Sequence, residues 1–187
     1  GKAENSHTIF AAESGKKIGV FGLSTPETAT KAHPAKIQGV TFPAGKDMFA
    51  IAEAEVKALE AEKCDYIVCL GHLGIDEESK GNRSVDLMEA VEGIDLFIDG
   101  HSHSTLEEVK EAAGDKPITS TGTKLANIGV ATISAEGEIS MESVSAEGLA
   151  EDEAIAARAA AIQKQIDDDY GAVFAKSEVL LNGEKAP

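Results

Sequence analysis

Two short apolar runs, each followed by glycine and histidine, constrain the fold more than any other feature of this sequence. Residues 65–70 lead to Gly71-His72, and residues 94–98 lead through Asp99 to Gly100-His101. A stretch with helical spacing of apolar residues precedes each run, so the chain passes twice from helix to strand. Strands that are apolar on both faces are typical of parallel neighbours covered by helices. The sequence therefore predicts an α/β fold built on a parallel sheet.

Alternating segments on either side of this pattern predict two antiparallel hairpins. The first hairpin comprises residues 8–13 and 17–23, and the second comprises residues 127–134 and 138–145. A last strand is predicted over residues 173–181.

Three helices are predicted from apolar residues at helical spacing, over residues 47–63, 84–91 and 152–170. The second is expected to have Ser84 as its N-cap. The residues expected to face the core are Met48, Ala52, Val56 and Leu59 in the first helix, and Val85, Met88 and Val91 in the second.

The charge balance excludes some classes of function. Acidic residues outnumber basic ones by 33 to 17, which gives a formal net charge of −16. A surface of this charge repels phosphate backbones and anionic lipid, so nucleic-acid binding through a basic groove is not expected. No apolar run approaches the roughly 20 residues of a membrane-spanning helix, so membrane insertion is not expected either. Cys64 and Cys69 are predicted to be buried thiols, since roughly 16 Å of strand separates them.

Three of the five histidines follow the carboxyl ends of the two apolar strands: His72, His101 and His103. In open α/β sheets ligands bind at this edge, and neutral imidazoles suit zinc, manganese, iron or nickel. The spacing predicts that the three rings approach one centre, although a single histidine after a strand is more often a hydrogen-bonded loop residue. His7 and His33 are predicted to be surface residues.

Four segments, in this order along the chain, resemble the second half of the metallophosphoesterase domain of bacterial 5′-nucleotidases. They are Lys17–Thr28, Gly71-His72-Leu73-Gly74, Gly93-Ile94-Asp95 and Asp99-Gly100-His101-Ser102-His103-Ser104. The resemblance extends from about Thr8 to Leu181. It implies half of a layered α/β sandwich over residues 1–148, an interdomain linker helix over 149–171, and the first strand of a following domain over 172–187.

The resemblance also implies an activity and a cofactor. Such a domain holds two divalent metal ions, zinc, manganese or similar, bridged by an aspartate. His72 and His101 would bind one ion and His103 the other. The parent protein would be an extracellular, cell-surface or periplasmic hydrolase that releases phosphate from nucleotides.

This sequence departs from the family in the motifs of the first half. Asp-x-His, Gly-Asp-x-x-Asp and Gly-Asn-His-Glu are missing. Two near matches do not replace them: Asp99-Gly100-His101 fits Asp-x-His but is part of the histidine motif, and Gly81-Asn82-Arg83 has arginine where the Gly-Asn-His-Glu motif has histidine. The isolated chain is therefore expected to be inactive and to form a homodimer through an uncovered sheet. Two alternatives remain: a noncatalytic metal-binding or interaction module, and a hydrolase of cyclic nucleotides, nucleotide sugars or sulfur esters.

Overall fold

Five strands form the main sheet, in the order in which they occur along the chain. The structure is a computed structural model that describes residues 6–179. The strands are β1 (His7–Ala11), β2 (Lys17–Ser24), β3 (Tyr66–His72), β4 (Leu96–Ile98) and β5 (Ile118–Thr119). β1 and β2 form an antiparallel hairpin, and each later strand runs parallel to its neighbour. The predicted α/β fold with a mainly parallel sheet is confirmed.

The register of the parallel strands brings their carboxyl ends to one edge of the sheet. Ser24 at the end of β2 pairs with His72 at the end of β3. In the next pair of strands, Leu70 of β3 lies opposite Ile98 of β4. Residues that follow β2, β3 and β4 are therefore neighbours in space.

The helices are α1 (Thr28–Lys31), α2 (Lys46–Ala61), α3 (Ser84–Ala90), α4 (Leu106–Ala113) and α5 (Glu153–Tyr170). The predicted stripe of α2 is confirmed, because its buried residues are Met48, Ala52, Val56 and Leu59. Together with residues of α3 and α4, this stripe packs on one face of the sheet against Phe21, Cys69 and Phe97. None of the helices within residues 6–179 has the length and apolar character needed to cross a membrane.

Gly71 allows the closest packing in this core. A Cβ atom at this position would lie 2.1 Å from two ring atoms of Phe97, so only glycine fits. Close packing therefore requires glycine directly before His72.

A second sheet consists of the antiparallel strands β6 (Asn127–Ile133) and β7 (Ile139–Ser145), which confirms the second predicted hairpin. The chain divides into two units, Gly1–Glu147 and Gly148–Pro187. In the second unit, Asp152 caps α5 by accepting a hydrogen bond from the amide of Ile155 at 2.9 Å. Considered by itself, this helix carries its isoleucine stripe exposed.

Some details differ from the sequence predictions. Ser84 is the first residue of α3 rather than its N-cap, and its buried hydroxyl donates to the carbonyl of Gly74. Leu87, which the prediction omitted, is fully buried in that helix.

The predicted last strand is not formed within residues 173–179, where no neighbouring strand pairs with it, and residues 180–187 lie outside those described. Assignment of residues 172–187 to a following domain stays a prediction. The short elements α1, α4 and β5 were not predicted.

Candidate functional site

Three chain segments meet at the carboxyl edge of the main sheet. Ser24–Glu27 follows β2, His72–Gly74 ends and follows β3, and Asp99–Ser104 follows β4. The predicted histidines lie in the second and third of these segments. Each segment directly follows a strand that is packed in the core, so the sheet fixes where its backbone begins.

His72 and His101 form a close pair. Nε2 of His72 lies 3.3 Å from Nδ1 of His101, and their ring centroids are 4.9 Å apart. Two imidazole nitrogens bound at roughly 2.0–2.1 Å to one tetrahedral ion lie about 3.3 Å apart, so these atoms have the spacing of two ligands of one metal. Burial lowers the pKa of His72, and the neighbouring His101 lowers it further. Both effects favour the neutral imidazole that binds metals.

Asp99 ties the two histidine segments together. Its Oδ1 accepts hydrogen bonds from the amides of Leu73 at 3.0 Å, Gly74 at 3.2 Å and Gly100 at 2.8 Å. Its Oδ2 is buried and has no hydrogen-bond partner among residues 6–179. One carboxylate oxygen thus holds the turn after His72 against the turn before His101, which fixes the distance between them.

Glu27 contacts the pair from the segment after β2. One of its oxygens, Oε2, lies 3.2 Å from Nε2 of His101 and 2.5 Å from Nζ of Lys31. The other oxygen accepts a hydrogen bond from Ser79. Lys31 and, after it, Ser79 lower the pKa of Glu27 to about 2, so this carboxyl group is ionised.

His103 is not part of this pair. It is exposed, and its backbone has a positive φ of 57°, as does that of His101 at 87°. Within the described part of the chain, no group of three or more His, Cys, Asp or Glu side chains is arranged to hold a metal ion. The approach of His103 to the same centre as His72 and His101 stays a prediction. Its role as a ligand of a second ion stays a prediction.

The other two histidines occupy different surroundings. His7 was expected at the surface, yet its side chain is only 19% exposed, with Nδ1 2.7 Å from Glu55 of α2 and Nε2 3.1 Å from Glu62, which directly follows that helix. The antiparallel pairing of β1 places His7 over this helix, which explains the difference. His33 is exposed as predicted and accepts a hydrogen bond from the amide of Ala35.

Sequence reasoning missed the roles of Asp99 and Glu27. Asp99 was noted as the start of the histidine motif and as an accidental match to Asp-x-His, although an aspartate before glycine after a buried strand is typical of a turn that its side chain stabilises. Glu27 was noted only as part of the resembling segment Lys17–Thr28 and of the polar stretch at the end of β2, and neither observation gave it a role. Its contact with His101 spans 74 residues of sequence.

Three known proteins are similar in sequence to about half of this chain. The chain is 38% identical over 104 residues to the trifunctional nucleotide phosphoesterase protein YfkN of Bacillus subtilis, which is 55% of this chain and 6% of that protein. It is 31% identical over 104 residues to a 5′-nucleotidase of Diplobatis ommata, covering 56% of the chain and 16% of that protein. It is 32% identical over 107 residues to an apyrase of Tabanus yao. The chain thus spans a small part of each relative, and no protein-family profile matches it.

Solved structures show the same fold over a longer stretch. The calcineurin-like phosphoesterase YfkN from Bacillus subtilis superposes with a TM-score of 0.66 at 20% identity, over 88% of this chain and 58% of that one. A putative 5′-nucleotidase from Staphylococcus aureus gives a TM-score of 0.63 at 23% identity, over 89% of this chain and 34% of that one. The resemblance to the 5′-nucleotidase and metallophosphoesterase group is therefore confirmed, with sequence similarity over about half of the chain and similarity of fold over most of it.

Proposed function

We propose that this chain is the second half of the catalytic domain of a metal-dependent phosphohydrolase that releases phosphate from nucleotides. The observation that carries the proposal is the 3.3 Å spacing between the ring nitrogens of His72 and His101 at the carboxyl edge of the sheet. That spacing fits two ligands of one divalent ion. The names of the sequence relatives, a nucleotide phosphoesterase, a 5′-nucleotidase and an apyrase, support nucleotides as the substrate class.

In this proposal His72 and His101 hold one ion and His103 contributes to a second. Two such ions would supply Lewis acidity and charge neutralisation for the hydrolysis of a phosphate ester. The residues of the chain itself hold the ligands in place: Asp99 fixes the two turns, and the packed strands fix the turns to the sheet. The sequence lacks the Asp-x-His and Gly-Asn-His-Glu motifs, so further ligands and the catalytic histidine would come from outside these 187 residues.

The uncovered part of the main sheet supports a half-domain. Leu70 and Ile98 pair across β3 and β4 and are 49% and 38% exposed. His72 lies on the same side of β3 as Leu70, because side chains two residues apart share a face. A second half that covers this patch would border the histidine pair and could contribute the remaining ligands.

We expect the protein that contains this domain to act outside the cytoplasm, in keeping with the implied family of secreted or periplasmic enzymes. Within that proposal, the acidic surface is compatible with an anionic substrate, because the bound ions would dominate the local potential.

Metal binding tests the proposal directly. Isothermal titration with Zn²⁺ should show a site in the 187-residue chain that His72→Ala and His101→Ala remove. His33→Ala is the matched control, since this histidine is exposed and remote from the pair in sequence and contacts. Equal Zn²⁺ binding by the wild type and His101→Ala would overturn the assignment of the pair.

Activity separates the enzyme from the noncatalytic module. The chain alone should release no phosphate from a nucleoside monophosphate above the rate of free Mn²⁺. The genomic sequence upstream of Gly1 is the decisive complement. If it encodes Asp-x-His and Gly-Asn-His-Glu, the protein made from the whole reading frame should release phosphate and lose that activity in His72→Ala. A signal peptide joined directly to the 187-residue sequence would favour the alternative of a noncatalytic metal-binding or interaction module.

A further inference from the structure

We infer that Glu27 is a positioning residue that fixes the tautomer and the ring orientation of His101 for metal binding. This inference rests on the proposed function, because it assigns a role toward the metal of that same site. Its basis is the contact of 3.2 Å between Oε2 of Glu27 and Nε2 of His101, on the side of the ring away from His72.

The chemistry of the two groups determines the direction of this hydrogen bond. An ionised carboxylate only accepts hydrogen bonds, so Nε2 of His101 must carry the proton and donate it. Nδ1 of His101 is then left with its lone pair free, and it is Nδ1 that faces Nε2 of His72 at 3.3 Å. Without Glu27 the proton of a neutral imidazole can occupy either nitrogen, and the form protonated at Nδ1 cannot bind the ion.

Glu27 is itself held in place by two further contacts. Lys31, one turn along α1, contacts the same carboxylate oxygen that accepts from His101, while the buried hydroxyl of Ser79 donates to the other oxygen. Ser79 ends the short helical turn Glu77–Ser79 after β3. Glu27 therefore connects the segments that follow three adjacent strands, and its carboxylate has little freedom to turn away from His101.

A carboxylate that accepts from the second nitrogen of a metal-binding imidazole is a general feature of protein metal sites. It raises the basicity of the ligand and fixes the ring, and loss of such a partner typically weakens metal affinity by about 10- to 100-fold. His101 has this arrangement, because its Nε2 faces the carboxylate of Glu27 and its Nδ1 faces Nε2 of His72.

The test compares Glu27→Ala and Glu27→Gln with the control Glu78→Ala in the 187-residue chain. Glu78 is an exposed glutamate in the helical turn Glu77–Ser79, next to Ser79 in the sequence. The first measurement is the tautomer of His101 in the metal-free chain, from the ¹⁵N chemical shifts of its ring at a pH where the imidazole is neutral. The second is the affinity for Zn²⁺ by isothermal titration. Circular dichroism shows whether each variant folds, and Glu27→Gln, with nearly the same shape, serves if Glu27→Ala does not.

We expect the wild type and Glu78→Ala to carry the proton on Nε2 of His101. Glu27→Ala should give a mixture of tautomers and bind Zn²⁺ about 10- to 100-fold more weakly. Glu27→Gln should fall between them, because its amide oxygen can still accept from Nε2. An unchanged tautomer and unchanged affinity in folded Glu27→Ala or Glu27→Gln, with His101→Ala still losing Zn²⁺, would overturn this inference alone. Zn²⁺ binding that survives His101→Ala would instead overturn the proposed site.

Discussion

Phe97 and Ile98 are adjacent residues of β4, yet the sheet places them in opposite environments. Phe97 is completely buried beneath the helices, whereas Ile98 is 38% exposed on the other face. The same contrast holds in β3, where Cys69 is completely buried and Leu70 is 49% exposed. Within the described residues, the helices therefore fully bury Cys69 and Phe97 on one face of the sheet, whereas the opposite face is apolar but only partly covered.

The strand sequences do not reflect this difference, since residues 66–70 and 96–98 are apolar or aromatic on both faces. Alternation of apolar and polar residues is expected where one face of a sheet meets water, and a continuous apolar run is expected where both faces are covered. The sequence of β3 and β4 is of the second kind. Under the proposed function, the uncovered patch formed by Leu70 and Ile98 is the surface on which another part of a larger protein or a second copy of this chain would pack.

The largest expected effect comes from removing a side chain on the covered face. Phe97→Ala leaves a cavity in the closed core and should lower the free energy of unfolding by about 3–5 kcal/mol. Ile98→Ala, its neighbour on the other face, should cost only about 1–2 kcal/mol because the side chain is already partly in water. Urea denaturation of both variants measures the contrast. Equal losses would mean that the two faces are not as different as their exposures indicate.

Glycine substitutions give a second, smaller contrast between the faces. Gly71→Ala forces a Cβ into the ring of Phe97 and should destabilise the chain by about 1–3 kcal/mol through overpacking. Gly22→Ala is the matched control, since its Cβ would meet only the carbonyl oxygen of Leu70 at an ordinary 3.7 Å. The midpoints of thermal unfolding of the two variants should separate accordingly. A tolerated Gly71→Ala would show that Phe97 can move aside at little cost.

Self-association should depend on the uncovered face alone. We expect the chain to form a homodimer through the patch of Leu70 and Ile98, and we expect Leu70→Glu to weaken this dimer by at least about tenfold, or 1.4 kcal/mol. Sedimentation equilibrium over a range of protein concentrations gives the dissociation constants. The control is Ile128→Glu, at an exposed position of the second sheet. A wild type that remains monomeric at all concentrations would contradict the expected homodimer and the argument that this patch needs a covering partner.

The fold could be predicted where its information is local. The stripe of α2, both hairpins and the parallel strands follow from the spacing of apolar residues, which reports directly on which side of an element is buried. The elements that were missed, α1, α4 and β5, are short, and β5 owes its two residues to pairing with β4 rather than to a pattern of its own. The uncovered face was expected from the family motifs that this sequence lacks and not from the strands themselves, because their residues resemble those of a covered face.

The site was predictable only in part for the same reason. His72 and His101 come directly after strands, so the parallel order of β3 and β4 brings them together. Glu27 reaches His101 through the order of β2 in the sheet and the conformation of a loop, and neither leaves a mark in the local sequence. Burial of His7 likewise depends on where the edge strand β1 lies relative to α2.

The smallest expected effect concerns that edge, where His7 extends the covered face by pairing with Glu55 of α2 and with Glu62 directly after it. Hydrogen bonds to Glu55 and, second, to Glu62 raise the pKa of His7 above its ordinary value. A pKa that is higher in the folded state stabilises the fold fully below the unfolded value of about 6.5, and this contribution is lost as the pH rises through the folded value.

The effect of His7 on the free energy of unfolding should remain below about 1 kcal/mol, as for other partly exposed ion pairs. The free energy of unfolding of the wild type should therefore fall between pH 6 and 8 relative to that of His7→Gln, while His33→Gln follows the wild type. If His7→Gln shows the same pH dependence as the wild type, the two glutamates do not hold β1 to the helix-covered face through this histidine.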